Sequence, residues 1–144
     1  FNFHVYDPSN YDLKFNRIKI RDLIEKFNSI GLDKKKIQLT LENLKRSDQA
    51  IRFYVEKNKK FNSIINIRKK EMILKKEFFN NSYEVVFRSF SDLIHFMGGK
   101  HNPVRGKKIE SLLKKVEKNR LYKETLGGCV IKMVNRTVIM TKEH

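Results

Sequence analysis

Apolar residues recur at intervals of three and four along much of this chain, the spacing that places them on one face of an α-helix. The first such segment ends at Gly31, which suits a left-handed helix cap. Asp33 is a suitable N-cap for a second helix over residues 34–61, whose apolar face is interrupted by Asp48 and Asn58. The predicted apolar positions are Ile20, Leu23, Ile24, Phe27 and Ile30 in the first helix and Ile37, Leu41, Leu44, Ile51, Val55 and Phe61 in the second.

Two further helices are predicted in the second half of the chain. Ser82 favours the start of one helix, which Gly98 and Gly99 close, and Asn102 followed by Pro103 favours the start of the other. In the aromatic stretch 78–90, helical spacing favours core packing over stacking on RNA bases. The predicted buried positions are Val86, Phe90, Leu93, Ile94 and Met97 in the third helix and Ile109, Leu112, Leu113 and Val116 in the fourth.

Two segments lose the helical period. Residues 64–67 and 72–74 are apolar runs on either side of a charged stretch, which indicates a short hairpin. Residues 125–134 and 137–140 are β-branched runs that flank Asn135 and Arg136, a pattern typical of a terminal hairpin. The sequence therefore predicts a mainly α protein with a small β component (α+β), a helical domain with a C-terminal β-hairpin.

The charge of the chain points to a polyanionic partner. The formal net charge is +16, from 32 Lys and Arg against 16 Asp and Glu. Lys and Arg displace condensed counterions from phosphates, so such a surplus favours binding to nucleic acid. The chain is also rich in Asn, Ile and Phe, the mix expected of an AT-rich genome, where Lys accumulates without functional cause. The charge favours nucleic acid without indicating which kind.

Three groups of cations are candidates for contacts with phosphates. Two arginines four residues apart near the start of the first helix share one face and could clamp phosphate or carboxylate oxygens. A second group stands at the predicted start of the fourth helix, where free backbone N–H groups attract anions. The third lies on the outer surface of the second helix, and a plain solvated surface remains the alternative for all three. The candidate residues are Arg17, Lys19, Arg21, Lys59, Lys60, Arg105, Lys107 and Lys108.

The sequence gives no sign of a catalytic centre. A single cysteine, Cys129, excludes an intrachain disulfide and fits a reducing compartment, so we expect a cytoplasmic location. The four histidines show no metal-binding spacing, and no glycine-rich phosphate loop is present. No apolar run approaches the roughly 18 residues of a membrane span, so no membrane association is expected. A start at Phe1 without a methionine is expected of a piece of a longer chain.

Two segments of the chain resemble one enzyme family. Residues 7–12, Asp-Pro-Ser-Asn-Tyr-Asp, followed by Phe15, Arg17 and Arg21, resemble the motif that closes the catalytic domain of tRNA(Ile)-lysidine synthases. There, a turn of the form D-P/E-S-N-x-D precedes an aromatic residue and an R-x-x-x-R helix start. Residues 125–129, with the following hairpin and residues 142–143, are similar to the tail of some members. Weaker matches between the two are Gly98, Gly99, Arg105, Leu112 and Leu113, so the resemblance covers nearly the whole chain.

The chain also departs from the family pattern. Ile18 stands where many members carry Asn. The S-G-G-x-D-S pyrophosphate loop and the His-Asp-Asp segment of the family are not found in this sequence. The resemblance therefore implies a fragment that binds tRNA without catalysing and that holds no cofactor of its own.

The resemblance implies a two-step reaction for the full enzyme. ATP and Mg²⁺ adenylate C2 of the wobble cytidine in the CAU anticodon of tRNA(Ile), and free lysine then displaces AMP, which changes decoding from Met to Ile. An N-terminal PP-loop domain would carry this chemistry. By the same resemblance, Arg17 and Arg21 would lie nearest the anticodon or the adenylate phosphate. Arg105, Lys107 and Lys108 would grip the tRNA backbone.

The predicted organisation has three parts. Residues 1–32 form the end of the catalytic domain and a junction helix, residues 33–120 a helical tRNA-binding domain, and residues 121–144 the C-terminal hairpin of the same unit. Two alternatives stay open: a free-standing, non-enzymatic basic RNA-binding module, and a helical protein-interaction domain whose charge reflects codon usage. The oligomeric state is also left open.

Overall fold

The computed structural model of the protein describes residues 16–31, 34–100, 102 and 104–143. Backbone contacts divide the chain into a first unit, residues 1–47, and a second unit, residues 48–144. The functional domain limits proposed from the sequence stay predictions. In chain order, the described elements are α1 (Asn16–Ser29), α2 (Lys34–Asn62), β1 (Ser63–Asn66), β2 (Glu71–Leu74), a 3-10 helix (Lys76–Asn80), α3 (Tyr83–Gly98), α4 (Gly106–Glu117), β3 (Lys123–Leu126), β4 (Cys129–Val134) and β5 (Thr137–Lys142). The predicted α+β class is confirmed.

The first unit contains α1 and the beginning of α2. Gly31 closes α1 with a φ of 82°, and its N–H donates to the carbonyl oxygen of Asn28 at 3.0 Å, so the predicted cap is confirmed. The predicted cap Asp33 and the turn at residues 7–10 lie outside the described residues. The apolar positions predicted for the first helix, from Ile20 to Ile30, are 41–76% exposed, and Ile37, Leu41 and Leu44 of α2 are exposed as well. The spacing predicted both helices correctly, and within this unit their apolar faces are exposed.

The second unit is built on an antiparallel sheet with the strand order β1-β2-β5-β4-β3. The hairpin predicted from residues 64–67 and 72–74 is confirmed as β1 paired with β2. Asn135 and Arg136, with φ values of 50° and 61°, form the tight turn between β4 and β5, which confirms the terminal hairpin. The run 125–134, predicted as one segment, is two strands, because Gly127 and Gly128 adopt φ values of 62° and 84° and reverse the chain.

Pairing between β2 and β5 joins the two hairpins into one sheet, with Glu71 opposite Thr141 and Leu74 opposite Val138. Alternate residues of the central strands are buried on the face that α3 and α4 cover. The core comprises Met72, Leu74, Phe78, Val86, Phe90, Leu93, Ile94, Ile109, Leu112, Leu113, Val116, Leu121, Cys129, Ile131, Val138 and Met140. The apolar faces predicted for α3 and α4 are therefore confirmed as core, with Met97 packed at its margin.

The helix boundaries in this unit differ in part from the prediction. Ser82 precedes α3 as predicted, but its side chain makes no capping hydrogen bond, and its carbonyl oxygen instead accepts from the N–H of Val86 at 3.0 Å. Gly99, with a φ of 62°, closes the helix as predicted. The start of α4 at Asn102 is wrong, since the helix begins at Gly106. The reason is the packing of Val104 against the core, which keeps the chain extended up to Arg105.

The second half of α2 also departs from its predicted apolar face. Val55 is buried as expected, but Phe61 is exposed. Asn58, predicted to interrupt the face, is only 2% exposed. Hydrogen bonds satisfy the buried side chain of Asn58. Its amide donates to the Phe78 carbonyl at 3.2 Å and to the Ser89 hydroxyl at 3.3 Å. Asn58 thus interrupts the apolar face as predicted, but as a buried residue with hydrogen-bond partners.

Two glycine contacts hold the end of α3 against the turn between β3 and β4. A Cβ atom on Gly98 would collide with the carbonyl oxygen of Gly127. A Cβ on Gly127 would lie 2.5 Å from Ile94 and 2.6 Å from Val104. Backbone therefore packs directly on backbone at this point. Within the described part of the chain, none of the helices combines the length and the apolar character that crossing a bilayer requires.

Candidate nucleic-acid interface

The arginines of α1 form a pair on one helix face. Arg17, Lys19 and Arg21 are all exposed. Arg17 and Arg21 are four residues apart and share a face, whereas Lys19 is rotated by about 200° from Arg17. The ion pair found within α1 joins Lys26 to Asp22 at 2.7 Å, and neither arginine has an ion pair with another described residue. The structure therefore brings Arg17 and Arg21 together and leaves Lys19 apart.

A second group of cations stands at the start of α4. Arg105 occupies the N-cap position, and Lys107 and Lys108 lie in the first turn, all three exposed. This turn contains no acidic residue, and Arg105 makes no side-chain capping hydrogen bond. The helix start therefore adds its free backbone N–H groups to three side-chain cations. Such an end attracts anions.

Lys59 and Lys60 are neighbours in sequence with different surroundings. The Lys59 ammonium lies 2.6 Å from Glu56 and 2.9 Å from Asp92, and its side chain is only 20% exposed. Burial would lower the pKa of Lys59, but hydrogen bonds to Glu56 and Asp92 outweigh it and raise the pKa above the ordinary value. Lys60 is exposed, with its ammonium 5.8 Å from the centre of the Phe61 ring. Lys60 is thus better placed for a partner than Lys59, and RNA binding by either residue stays a prediction.

The second unit also contains a cavity that the sequence did not reveal. Its volume is about 550 Å³, and it lies where the 3-10 helix and the beginning of α3 meet the end of α4 and the turn between β4 and β5. Cations from three distant parts of the chain line it, namely Lys76, Lys114 and Arg136. Their separation in sequence explains why they were missed, because no local pattern links them.

The aromatic stretch around α3 divides into core and surface. Phe78 and Phe90 are fully buried, so the predicted preference for core packing is confirmed for these rings. Phe79 packs edge-on against both, with ring centres 5.1 and 6.2 Å apart. Tyr83 is the exception: it is 56% exposed, lines the cavity, and stacks on Phe87 at 6.1 Å.

Neither a reactive thiol nor a metal site is found in the part of the chain that the structure describes. Cys129 is fully buried, and its thiol donates to the carbonyl oxygen of Ile94 at 3.3 Å. Desolvation, with a smaller contribution from Glu143, raises the Cys129 pKa to about 11, so the thiolate needed for nucleophilic attack is scarce at neutral pH. The described residues hold no group of three or more His, Cys, Asp or Glu that could bind a metal ion.

Comparison with known proteins finds three curated relatives. The chain is 25% identical over 142 residues to the tRNA(Ile)-lysidine synthase of Wolbachia pipientis wMel and 27% identical over 142 residues to that of Wolbachia sp. subsp. Brugia malayi (strain TRS), in each case over 96% of its length. It is 24% identical over 138 residues, 95% of its length, to the enzyme of the same name from Ruegeria pomeroyi. The chain spans about a third (32%) of the length of each relative. The predicted resemblance to this family is confirmed, although no family model and no solved structure matches the chain.

Proposed function

We propose that this chain is the tRNA-binding portion of a tRNA(Ile)-lysidine synthase. The complete enzyme would use ATP and Mg²⁺ to ligate free lysine onto C2 of the wobble cytidine in the CAU anticodon of tRNA(Ile). The observation that carries this proposal is similarity over 95–96% of the chain to three enzymes of that name, which supports a role in tRNA modification. Catalysis would belong to an N-terminal PP-loop domain, and the enzyme would act in the cytoplasm.

The distribution of charge supports tRNA binding. The chain carries 32 Lys and Arg, and the ion pairs found among the described residues engage five of them: Lys26, Arg52, Lys59, Arg88 and Lys115. Most of the cations in the described part of the chain therefore lie outside these ion pairs. Lys and Arg in such numbers release counterions when they meet a phosphate backbone, which drives association.

The exposed apolar face of α1 supports a place beside a catalytic domain. Leu23, Ile24 and Phe27 are 41–51% exposed within this chain, and the relatives are about three times as long. An apolar face of this kind needs a cover. In the complete enzyme the catalytic domain would supply this cover, which would set Arg17 and Arg21 close to the anticodon of the tRNA.

Titration of the chain with tRNA(Ile) carrying the CAU anticodon, at low and at moderate salt, tests the proposal. The logarithm of the affinity should fall with the logarithm of salt concentration, with a slope of roughly 0.7–0.9 per phosphate contact. The double variant Arg17→Ala/Arg21→Ala should bind at least about tenfold more weakly, because each hydrogen bond to a charged group contributes roughly 1.5–3 kcal/mol. Fluorescence anisotropy of end-labelled tRNA measures both effects.

The matched control is Arg68→Ala/Arg120→Ala, which removes the same charge from two exposed positions of the second unit. Equal losses in both double variants would contradict a specific role for the α1 arginines. Equal affinity for a tRNA with an unrelated anticodon arm would favour the alternative, a basic RNA-binding module without selectivity. An affinity that does not change with salt would remove the electrostatic basis of the proposal.

A further inference from the structure

The cavity in the second unit has the size and the lining of a ligand site. Its volume of about 550 Å³ falls within the roughly 300–1,000 Å³ typical of small-molecule pockets. Aromatic, amide and cationic side chains line it, among them Phe79, Asn81, Tyr83 and Lys114. A pocket with this mixture suits a ligand that has both a flat ring and an anionic group.

The charge of the lining favours an anion. Lys76, Lys114 and Arg136 line the cavity together with one acidic residue, Glu117. None of the three cations has an ion pair with any residue that the structure describes. Unpaired like charges around one cavity repel each other, and a bound phosphate would relieve this repulsion while accepting charge-assisted hydrogen bonds.

The backbone at Arg136 is a second, independent indication. Its φ of 61° places the backbone in the left-handed region, which glycine or asparagine usually occupies in a two-residue hairpin turn. An arginine there is strained because its Cβ atom crowds the following carbonyl oxygen. Strain of this kind occurs in tight turns and also at binding sites, and at Arg136 it coincides with the cavity. The turn is held by the pairing of Val134 with Thr137, so the guanidinium extends from a fixed point of the sheet.

Tyr83 supplies the flat surface. One part of its ring stacks on Phe87, with an interplanar angle of 26°, yet the residue remains 56% exposed. Desolvation, with smaller contributions from Glu110 and Glu84, raises the pKa of the Tyr83 hydroxyl, which therefore stays protonated and able to donate at neutral pH. Stacking of an unpaired base on such a ring is worth roughly 1–3 kcal/mol.

We propose that this cavity binds one unpaired nucleotide of an RNA chain, with the base against Tyr83 and the adjoining phosphate held by Lys76, Lys114 and Arg136. The inference deepens the proposed function and rests on it, since it assigns to the second unit the recognition of a single-stranded end or loop of the tRNA. A free mononucleotide has the same chemistry, a base that carries a phosphate, and the experiment separates the two sources.

The test uses the whole chain and three probes: a labelled single-stranded RNA of eight nucleotides, a blunt RNA duplex, and AMP. Tyr83→Ala should weaken binding of the single strand about 5- to 150-fold, the stacking contribution expressed as an affinity. Tyr83→Phe should keep most of the affinity because it keeps the ring. Tyr122→Ala, which removes an exposed tyrosine outside the cavity, is the matched control and should change binding less than twofold.

The phosphate contact is tested with Arg136→Asn, which removes the charge and suits the left-handed backbone. The matched control is Lys70→Asn, since Lys70 has a φ of 50° in the turn between β1 and β2, outside the cavity. Arg136→Asn should reduce the slope of log affinity against log salt concentration by about 0.7 for single-strand binding. It should also weaken binding more than Lys70→Asn does. Far-UV circular dichroism verifies that all variants stay folded.

Equal losses for Tyr83→Ala and Tyr122→Ala, or equal losses for single strand and duplex, would overturn the proposal. Binding of AMP as tight as that of the single strand would assign the cavity to a free nucleotide and overturn the RNA assignment. If the α1 arginines govern tRNA affinity while Tyr83→Ala has no effect, only the cavity proposal fails. If Tyr83 governs single-strand binding while tRNA selectivity is absent, the assignment to a lysidine synthase fails and the cavity proposal stands.

Discussion

The first and the second unit contain helices with the same hydrophobic spacing and opposite burial. In α1 the residues Ile20, Leu23, Ile24 and Phe27 are 41–54% exposed, whereas the four apolar positions of α4 are almost completely buried. The residue types and intervals are alike, so the difference lies in what covers each face. In α4 the apolar face packs into a core that it shares with α3 and with strands made by distant parts of the chain. Hydrophobic periodicity therefore specifies a helix and its apolar face. Which element covers that face depends on distant parts of the chain.

The largest expected contrast between the units comes from a matched pair of phenylalanines. Phe90→Ala, in the core of the second unit, should lower the free energy of unfolding by about 3–5 kcal/mol because it leaves a cavity. Phe27→Ala, on the exposed face of α1, should lower it by less than about 1 kcal/mol. Urea denaturation followed by far-UV circular dichroism measures both. Similar losses for the two variants would show that the α1 face is packed in solution.

A smaller contrast is expected from two asparagines of α2. The Asn58 side chain donates to Phe78 and Ser89 and accepts a hydrogen bond from the Asn62 amide at 2.9 Å and from the Asn81 amide at 3.0 Å. Asn58→Leu should destabilise the protein by about 1–3 kcal/mol, because buried polar groups lose their partners.

Asn43→Leu, at an exposed position of the same helix in the first unit, is the control and should change stability by less than about 0.5 kcal/mol. A neutral or stabilising effect of Asn58→Leu in urea denaturation would mean that the polar cluster can be exchanged for apolar packing. Equal effects at both positions would contradict the burial contrast within α2.

The smallest effect is expected at Asp48, where the second unit begins. Hydrogen bonds from Arg52, at 2.6 Å, and from Arg88, at 2.5 Å, lower the Asp48 pKa below its ordinary value. A lowered pKa in the folded state stabilises the protein at neutral pH, and this contribution is lost as the pH falls through the folded-state pKa. The stability difference between wild type and Asp48→Asn should therefore be largest near pH 7 and shrink below pH 3.8.

Urea denaturation at pH 7 and at pH 3 measures this difference. Asp22→Asn, which removes the carboxylate paired with Lys26 in the first unit, provides the comparison. A difference for Asp48→Asn that stays constant between the two pH values would show that the contacts with Arg52 and Arg88 contribute nothing through charge.

Features of the fold that depend on neighbouring residues could be predicted from the sequence. The cap at Gly99, the turn at Asn135 and Arg136, and the buried face of α4 each follow from local geometry. The pairing of β2 with β5 could not be predicted, because the two strands are more than sixty residues apart in the sequence. Either edge of each predicted hairpin could have formed this pairing. The start of α4 was misplaced for the same reason, since the packing of Val104 is a tertiary contact.

The candidate site divides in the same way. The shared face of Arg17 and Arg21 follows from four-residue spacing on a helix, and the structure agrees. Lys59 pairs with Asp92, which is thirty-three residues away in the sequence, so no local pattern predicts this ion pair. The cavity gathers its cations from three elements, so only the folded chain reveals it.

The glycine contact between α3 and the β3–β4 turn has a consequence for how the α4 cations are presented. Gly98 and Gly127 meet without side chains, so no rotamer change can absorb a displacement between them. Val104 packs against the same Gly127, and this contact fixes the chain immediately before Arg105. The backbone that leads into the basic end of α4 is therefore fixed, so a polyanion that bound there would have to order the exposed side chains but not the chain that carries them.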